Sequence, residues 1–279
     1  MERLNNIAAV VVAYNAEEAI VNNIESYIDY VDKLYFVNNG NSRDLFDKIS
    51  SSYGEKVILI DEDENLGISK AINLAAKDAF NIRCQYLLTM DQDSYFDDFS
   101  TFIKLFDKHC NETIAIYTPA HITGDRKYPT DSFTYIKSVM TSGNILNLDV
   151  FFKLDGMDER LFIDRVDHDY CLSVIENGYS IIRFNNCKLF HGLGNSSIIN
   201  GVEVTNHSPL RRYYMTRNTL IIMFKHFRKQ RLNMVKLLYG YFNELYHVFR
   251  YEKNRMDKMF FVMKGVWHFF SRKNGRYSG

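Results

Sequence analysis

The sequence predicts an α/β fold: a Rossmann-like, mostly parallel sheet covered by helices, followed by a helical, basic and aromatic C-terminal extension. Three observations predict it. Apolar runs of strand length alternate four times with helix-compatible segments over the first 120 residues. The fourth run drives straight into two carboxylates one residue apart, in LLTMDQDSYF (87–96). Charge also divides sharply along the chain. Residues 1–200 carry 18 Lys and Arg against 30 Asp and Glu, net −12, whereas residues 201–279 carry 16 against 4, net +12.

In chain order, IAAVVVAY (7–14) is a continuous apolar run and reads as a buried strand. The acidic stretch from Ala16 to Tyr30 follows as helix. KLYFVNN (33–39) is the second strand, closed by the turn-like NNGNS, and a helix begins at Arg43. KVILIDED (56–63) is the third strand. LGISKAINLAAKDAF (66–80) is a helix whose apolar residues Ile68, Ala71, Ile72, Ala75 and Ala79 share one face. QYLLTM then enters the paired carboxylates. Alternation of this kind implies right-handed crossovers and parallel pairing. Farther on, a helix is expected from Asp167 to Asn177, stopped by Gly178 and followed by another strand. The change in composition puts a main α/β domain at 1–208 and the extension at 209–279.

At 279 residues and 46% hydrophobic content, the chain is long enough for one substantial core. Cys84, Cys110, Cys171 and Cys187 form no CxxC pair, which favours reduced thiols in a cytosolic compartment over a zinc site or disulfide framework. The opening MERLNNIAAVVVAYN turns polar at Tyr14 and lacks a signal-peptide pattern, and no run of about 18 apolar residues predicts a spanning helix. The extension interleaves basic and aromatic residues in MFKHFRKQRLNMVKLLYGYF and MFFVMKGVWHFFSRKNGR. That pattern suits an amphipathic helix peripheral on an anionic membrane, and it also suits a helical cap with a solvated basic face. Nucleic acid is not an expected partner, because the acidic remainder opposes it.

In an extended segment residues i and i+2 point the same way, so Asp91 and Asp93 are expected to converge. Like charges held together repel unless something positive lies beside them, and a divalent metal is the natural candidate. In parallel sheets, ligands bind at the carboxyl ends of the strands. Tyr14, Asn15, Asn38, Asn39, Asp61 and Asp91 all fall at such ends and are expected to line one crevice. Polar groups at the first two ends suit a base and ribose, while a metal near Asp91 and Asp93 suits a diphosphate. A second acidic cluster, Asp164, Asp167 and Asp169, opens the later helix, where carboxylates also complement the macrodipole.

These motifs, in this order from about residue 7 to about residue 220, resemble the inverting family 2 glycosyltransferases of GT-A fold, and within them the bacterial rhamnosyltransferase-like branch. VVVAYN looks like the first nucleotide-binding strand, placing Ala13, Tyr14 and Asn15 at the donor. VNNGN stands where an Asp-Asn-Gly-Ser-type turn is usual, so Asn38 replaces an Asp that contacts the pyrimidine, beside Asn39. ENLGISKAIN is similar to the Asn-x-Gly segment and implicates Asn65, Gly67 and Lys70. DQDS matches the DxD motif, which implies Mg²⁺ or Mn²⁺ on a sugar nucleotide's diphosphate, held at Asp91 and Asp93 with Gln92 nearby.

On the acceptor side, Ser142 and Gly143 match a small-residue turn near the sugar, and Asp167 aligns with the Asp of the Glu-Asp motif, the implied general base. Val166 occupies the Glu position, and Ser173 stands where Arg is frequent. HGLGNSS resembles a His-x-x-Gly-x-Ser segment, implying that His191 reaches the metal or diphosphate. RRYYMTRN is similar to a Tyr-Tyr-x-x-Arg-Asn helix start, implying that Arg217, assisted by Arg212, pairs with phosphate oxygens.

The activity so implied is transfer of L-rhamnose from dTDP-L-rhamnose onto a glycan or lipid-linked glycan in bacterial surface polysaccharide synthesis, on the cytoplasmic side of the inner membrane. A UDP-hexose or UDP-N-acetylhexosamine donor is the alternative within the class. From other classes, DQDS after an apolar strand also suits a haloacid-dehalogenase-type phosphatase loop, and a non-catalytic glycan-binding scaffold is the third reading. The sequence leaves the oligomeric state open.

Overall fold

The structure, a computed structural model, describes residues 6–122, 128–192, 197–199, 202–204 and 206–279. Its most continuous apolar run lies at the middle of a parallel block. β1 (Ile7–Ala13) is buried at all seven positions, because it pairs in parallel on both sides, with Val11 opposite Phe36 and Met90. A strand covered on both faces has no solvent side to alternate towards.

The predicted helix over 16–30 divides into α1 (Ala19–Glu25) and a 3-10 turn at Ile28–Tyr30. Ser26 Oγ takes up the Asn23 carbonyl at 2.7 Å, and Tyr27 leaves helical geometry at φ −140°. β2 (Lys33–Asn38), α2 (Arg43–Tyr53), β3 (Val57–Asp61), α3 (Gly67–Asn81) and β4 (Tyr86–Asp91) follow the predicted alternation. They give the parallel order β3-β2-β1-β4. α3 lies on β1, β2 and β4 through the small residues Ala71, Ala75, Ala76 and Ala79, which let helix and sheet approach closely.

Beyond β4 the sheet becomes mixed. The chain adds β5 (Ser94–Phe96), α4 (Phe99–His109), β6 (Ile114–Ile122), β7 (Phe133–Ile136), β8 (Asn144–Asn147), α5 (Leu148–Lys153), α6 (Val166–Glu176) and β9 (Ser180–His191). β8 runs antiparallel between β4 and β6, β9 is parallel to β6, and β5 and β7 pair antiparallel with β9. Asp98 caps α4 by accepting from Thr101 N at 3.0 Å, and Asn147 caps α5 through Val150 N at 3.1 Å. The core runs from Ile7 and Phe36 through an aromatic cluster of Phe96, Phe99, Phe102 and Phe106 to Phe184 and Leu189.

Two compact units emerge, one of residues 1–158 and 170–192, the other of 159–169 and 193–279. The second therefore takes in a short loop and the start of α6, besides the whole of the expected extension and the residues just before it. It contains the pair β10 (Ser197–Ile199) and β11 (Val202–Val204), then α7 (Pro209–His226), α8 (Arg231–Tyr251) and α9 (Arg255–Phe270). Ser208 caps α7 by accepting from Arg211 N, with Pro209 in the first turn. α7 packs on both α8 and α9. A Cβ at Gly265 of α9 would fall 2.8 Å from the Tyr213 carbonyl of α7, so glycine sets that close approach. Among the described residues, no helix is long and apolar enough to cross a membrane.

Candidate active site

Register places three predicted strand ends in a row, with Ala13 opposite Asn38 and Asn38 opposite Asp61. Asn38 Oδ1 accepts from Gly40 N at 3.4 Å and Ser42 N at 3.1 Å, closing the NNGNS turn, while its Nδ2 donates to Asp61 Oδ1 at 3.0 Å. Arg43 donates to the other Asp61 oxygen at 3.1 Å. Asn15, at φ +46°, accepts from Asn41 N, and a Cβ on Gly40 would lie 2.9 Å from Asn15 Oδ1. Glycine thus lets the first two strand ends meet. Tyr14 beside them is 56% exposed, with its ring open to a partner.

Asn39 behaves differently from its neighbour. It is buried, donating to Gly67 O at 3.3 Å and accepting from Leu66 N at 3.0 Å. Asn65 accepts from Gly67 N at 2.8 Å, starting α3. Asn39, expected at the nucleotide sugar, thus forms a clip between β2 and α3. Lys70 sits half-buried in the first turn of α3.

The paired carboxylates converge, but not by strand alternation. Gln92 and Asp93 form a turn between β4 and β5. Gln92 clips this turn to the end of β1, accepting from Tyr14 N at 2.8 Å and donating to Tyr14 O at 3.4 Å, while its carbonyl accepts from Asn23 Nδ2 at 2.9 Å. These bonds give Gln92 a positioning role at the end of β1. The buried Ser142 hydroxyl accepts from Asp91 N at 3.0 Å, and Gly143 N donates to Thr89 O at 2.7 Å. These two residues fix the backbone under Asp91. The buried His121 holds the Ser142 carbonyl at 2.7 Å; it has no motif around it, and the sequence reading missed it.

β9 supplies the third member, because Ser94 of β5 pairs with His191. His191 Nε2 lies 3.3 Å from Asp91 Oδ2 and 3.5 Å from Asp93 Oδ1. Ligand-capable atoms of the three residues all lie within 4.8 Å of one another. An octahedral Mg²⁺ or Mn²⁺ with bonds of about 2.1 Å separates adjacent ligands by about 3 Å, so this donor set fits one such ion. Partial burial and the Asp91 charge push the Asp93 carboxyl up, against an opposing pull from His191. The hydrogen bond to Asp91 and both carboxylate charges hold the His191 imidazole above its ordinary value despite desolvation. Two carboxylates crowded beside one imidazole make a pocket of negative charge that attracts a cation. The rest of the HGLGNSS segment, from Leu193 to Ser196, lies outside the described residues.

Asp167 belongs to the second unit, in the first turn of α6, with its side chain 23% exposed. Burial raises its carboxyl, but the His168 hydrogen bonds and charge together with the Arg165 charge outweigh it and keep Asp167 ionised, below the usual carboxylate range. His168 N donates to Asp167 Oδ1 at 2.8 Å. An ionised, partly accessible carboxylate is a proton acceptor in form.

The Glycosyl transferase family 2 model matches residues 8–164. The chain is also 32% identical to the dTDP-rhamnosyl transferase RfbF of Shigella flexneri, over 79% of this chain and 81% of that one. The chain belongs to glycosyl transferase family 2. Solved structures agree on its fold. The mannosyltransferase PcManGT of Pyrobaculum calidifontis, in complex with GDP-Man and Mn²⁺, superposes with a TM-score of 0.61 at 11% identity over 96% of this chain and 75% of that one. GalNAc-T7 with UDP, GalNAc and Mn²⁺ gives 0.58 at 15% identity over 78% of this chain, which spans 48% of that chain. This family 2 chain is thus a glycosyltransferase of GT-A-like fold, and the phosphatase and scaffold readings fall.

Two residues of this glycosyltransferase depart from the expected role. Arg217 is fully buried, and its five N–H donors go to Asn218 Oδ1, Tyr213 Oη, Gly275 O, Arg160 O and Leu161 O. Arg212 is 2% exposed and pairs with Glu244 and with Glu252. In place of the phosphate clamp expected of them, both serve as internal scaffolding: every donor of Arg217 is taken inside the fold, and Arg212 is buried against two carboxylates. Asn218 Nδ2 adds bonds of 2.7 to 2.9 Å to the carbonyls of Leu161, Ile163 and Asp164. The loop so gripped holds Phe162, Asp164 and Arg165 at φ near +65°, a conformation that costs non-glycine residues about 1 kcal/mol or more each. The Arg-Asn pair therefore braces the loop that leads into Asp167.

Proposed function

We propose that this glycosyltransferase transfers L-rhamnose from dTDP-L-rhamnose to a glycan acceptor with inversion at the anomeric carbon. The observation that carries it is the Asp91, Asp93 and His191 cluster at the sheet end where Ala13, Asn38 and Asp61 also terminate. The name of the 32% identical relative supports the rhamnose donor. Tyr14, Asn15 and Asn38 face the base and ribose; Asn65, Gly67 and Lys70 flank the diphosphate. Asp91, Asp93 and His191 would hold Mg²⁺ or Mn²⁺, which supplies charge neutralisation for the departing diphosphate.

Asp167 accepts the proton of the acceptor hydroxyl as that oxygen forms its bond to the anomeric carbon and the bond to the diphosphate breaks. One displacement inverts the configuration, and no covalent enzyme intermediate is required. The acceptor is a lipid-linked surface glycan, met at the cytoplasmic face of the inner membrane.

Calorimetry with dTDP-rhamnose, UDP-glucose, UDP-galactose and UDP-N-acetylglucosamine, each with Mn²⁺ and with excess chelator, tests the donor. Metal-dependent binding of dTDP-rhamnose alone is expected, and preference for a UDP-sugar overturns the donor while keeping the fold. Asp167→Asn is expected to bind donor normally and to lose about 10²- to 10⁴-fold in turnover. Near-normal turnover removes Asp167 from the base role.

A further inference from the structure

α8 and α9 are apolar on two sides, and only one side of each is used. The inner side of α8 buries Met234, Tyr241 and Val248, while α9 buries Val262 and Gly265. Outside, α8 exposes Leu232, Val235, Tyr239, Phe242, Tyr246 and Phe249, each at least 58% accessible. α9 likewise exposes Met256, Phe260, Met263, Trp267 and Phe270, each at least 63% accessible. Both sets repeat at alternating steps of three and four, so each forms a single stripe along its helix. Phe249 and Met256 line the same surface depression at the α8–α9 turn, so the stripes adjoin there. Exposed apolar surface on this scale marks an interaction site.

Charge decides between occupants. A second copy laid stripe to stripe would bring together the cations that flank the α8 stripe, Arg231, Lys236 and Arg250, with no acid on either edge to answer them. The acids of this region are largely spent internally: Glu244 pairs with Arg212, and the buried Glu252 pairs with Arg212 and Lys258. Asp257 alone is left on the exposed part of α8 and α9, against exposed Lys253, Arg255, Arg272 and Lys273 as well. A self-interface of this composition repels itself, whereas an anionic bilayer complements both the cations and the aromatic, Met-rich stripes.

We propose that the outer stripes of α8 and α9 dock in the plane of an anionic lipid bilayer, with Phe242, Phe260 and Trp267 entering the headgroup boundary and the flanking Arg and Lys pairing with lipid phosphates. The proposal gives the lipid-linked acceptor reading its membrane contact and rests on that reading for its purpose alone. Vesicles free of glycan separate the two, because docking is then read without acceptor or donor.

Trp267 is the sole tryptophan of the chain, so its fluorescence reports on this face without labelling. The full chain is titrated with phosphatidylglycerol–phosphatidylcholine vesicles and with pure phosphatidylcholine vesicles, while sedimentation measures bound protein and light scattering measures oligomeric state without lipid. A blue shift of the emission with cosedimentation is expected on anionic vesicles, weakening at least tenfold on pure phosphatidylcholine or in high salt. The double variant Phe242→Ser, Phe260→Ser is expected to lose binding at least tenfold. Unchanged Trp267 emission with no cosedimentation on anionic vesicles overturns the proposal, as does a lipid-free dimer that these two substitutions dissociate. Lys236→Glu with Arg250→Glu is the second variant, leaving the apolar stripe intact. Its binding should also fall about tenfold, and unchanged affinity overturns the electrostatic part.

Discussion

The Asp91, Asp93 and His191 cluster and the Arg212, Arg217 and Glu252 network are both dense in charge, and both lie on stretches that resemble functional motifs. They are opposite objects. In the first, two carboxylates are held near each other at 35% and 45% side-chain exposure, with an imidazole beside them. In the second, the guanidiniums are buried and their partners are carboxylates, carbonyls and hydroxyls of the same unit. Charge left unbalanced and within reach of solvent recruits a ligand, whereas charge satisfied in the interior holds structure.

The largest effect that would sharpen this contrast is on turnover. Asp93→Asn should lower it by at least about 100-fold while leaving the thermal midpoint unchanged or raised, since one of two neighbouring carboxylates loses its charge. A transferase assay beside a calorimetric melt reads both quantities. A fall in thermal midpoint matching the loss of activity would place the cluster in the scaffold and break the contrast.

Arg217→Met should do the reverse. Removing five hydrogen bonds, among them those to the carbonyls of Arg160, Leu161 and Gly275, is expected to cost at least about 3 kcal/mol in urea unfolding. A variant that stayed equally stable but bound donor weakly would return Arg217 to the phosphate.

The smallest effect is on acid stability of the second unit. Burial, with the charges of Arg211 and Arg212, depresses the half-buried His207 imidazole to about 4 from an ordinary 6.5. Its contribution is present above pH 6.5 and is lost as pH falls from there towards 4, because the unfolded chain binds the proton first. For Glu252, burial raises the carboxyl but Lys258 and Arg212 outweigh it, so that its contribution is lost at still lower pH, below its ordinary 4.5. Chemical denaturation from pH 7 to pH 4 should show the loss, and His207→Gln should flatten its upper part. An unchanged slope in that variant would assign the loss elsewhere.

Much of the first unit was legible from sequence because its signals are local. The apolar runs of β1 to β4 have strand length, the Ala face of α3 repeats with helical period, and NNGNS is turn chemistry. The region from β5 to α5 was not legible. Its strands are three to nine residues long and pair with partners far along the chain, as β5 does with β9 and β8 with β4. Gln92 and Asn39 show the same limit for side chains. A polar residue in a motif reads as a ligand contact until its hydrogen bonds are seen to close on backbone from another element.

By itself the sequence determined the alternating parallel half of the sheet, the acidic pair at the end of its fourth strand, and the basic, aromatic character of residues 209–279. Those properties depend on neighbours in the chain and on composition. Only tertiary structure decided that a turn brings Asp91 and Asp93 to His191, a hundred residues away, that Arg217 points inward, and which stripes of α8 and α9 remain bare. Each of these depends on long-range packing, which assigns the inward and outward faces of an element and which its local pattern leaves undetermined.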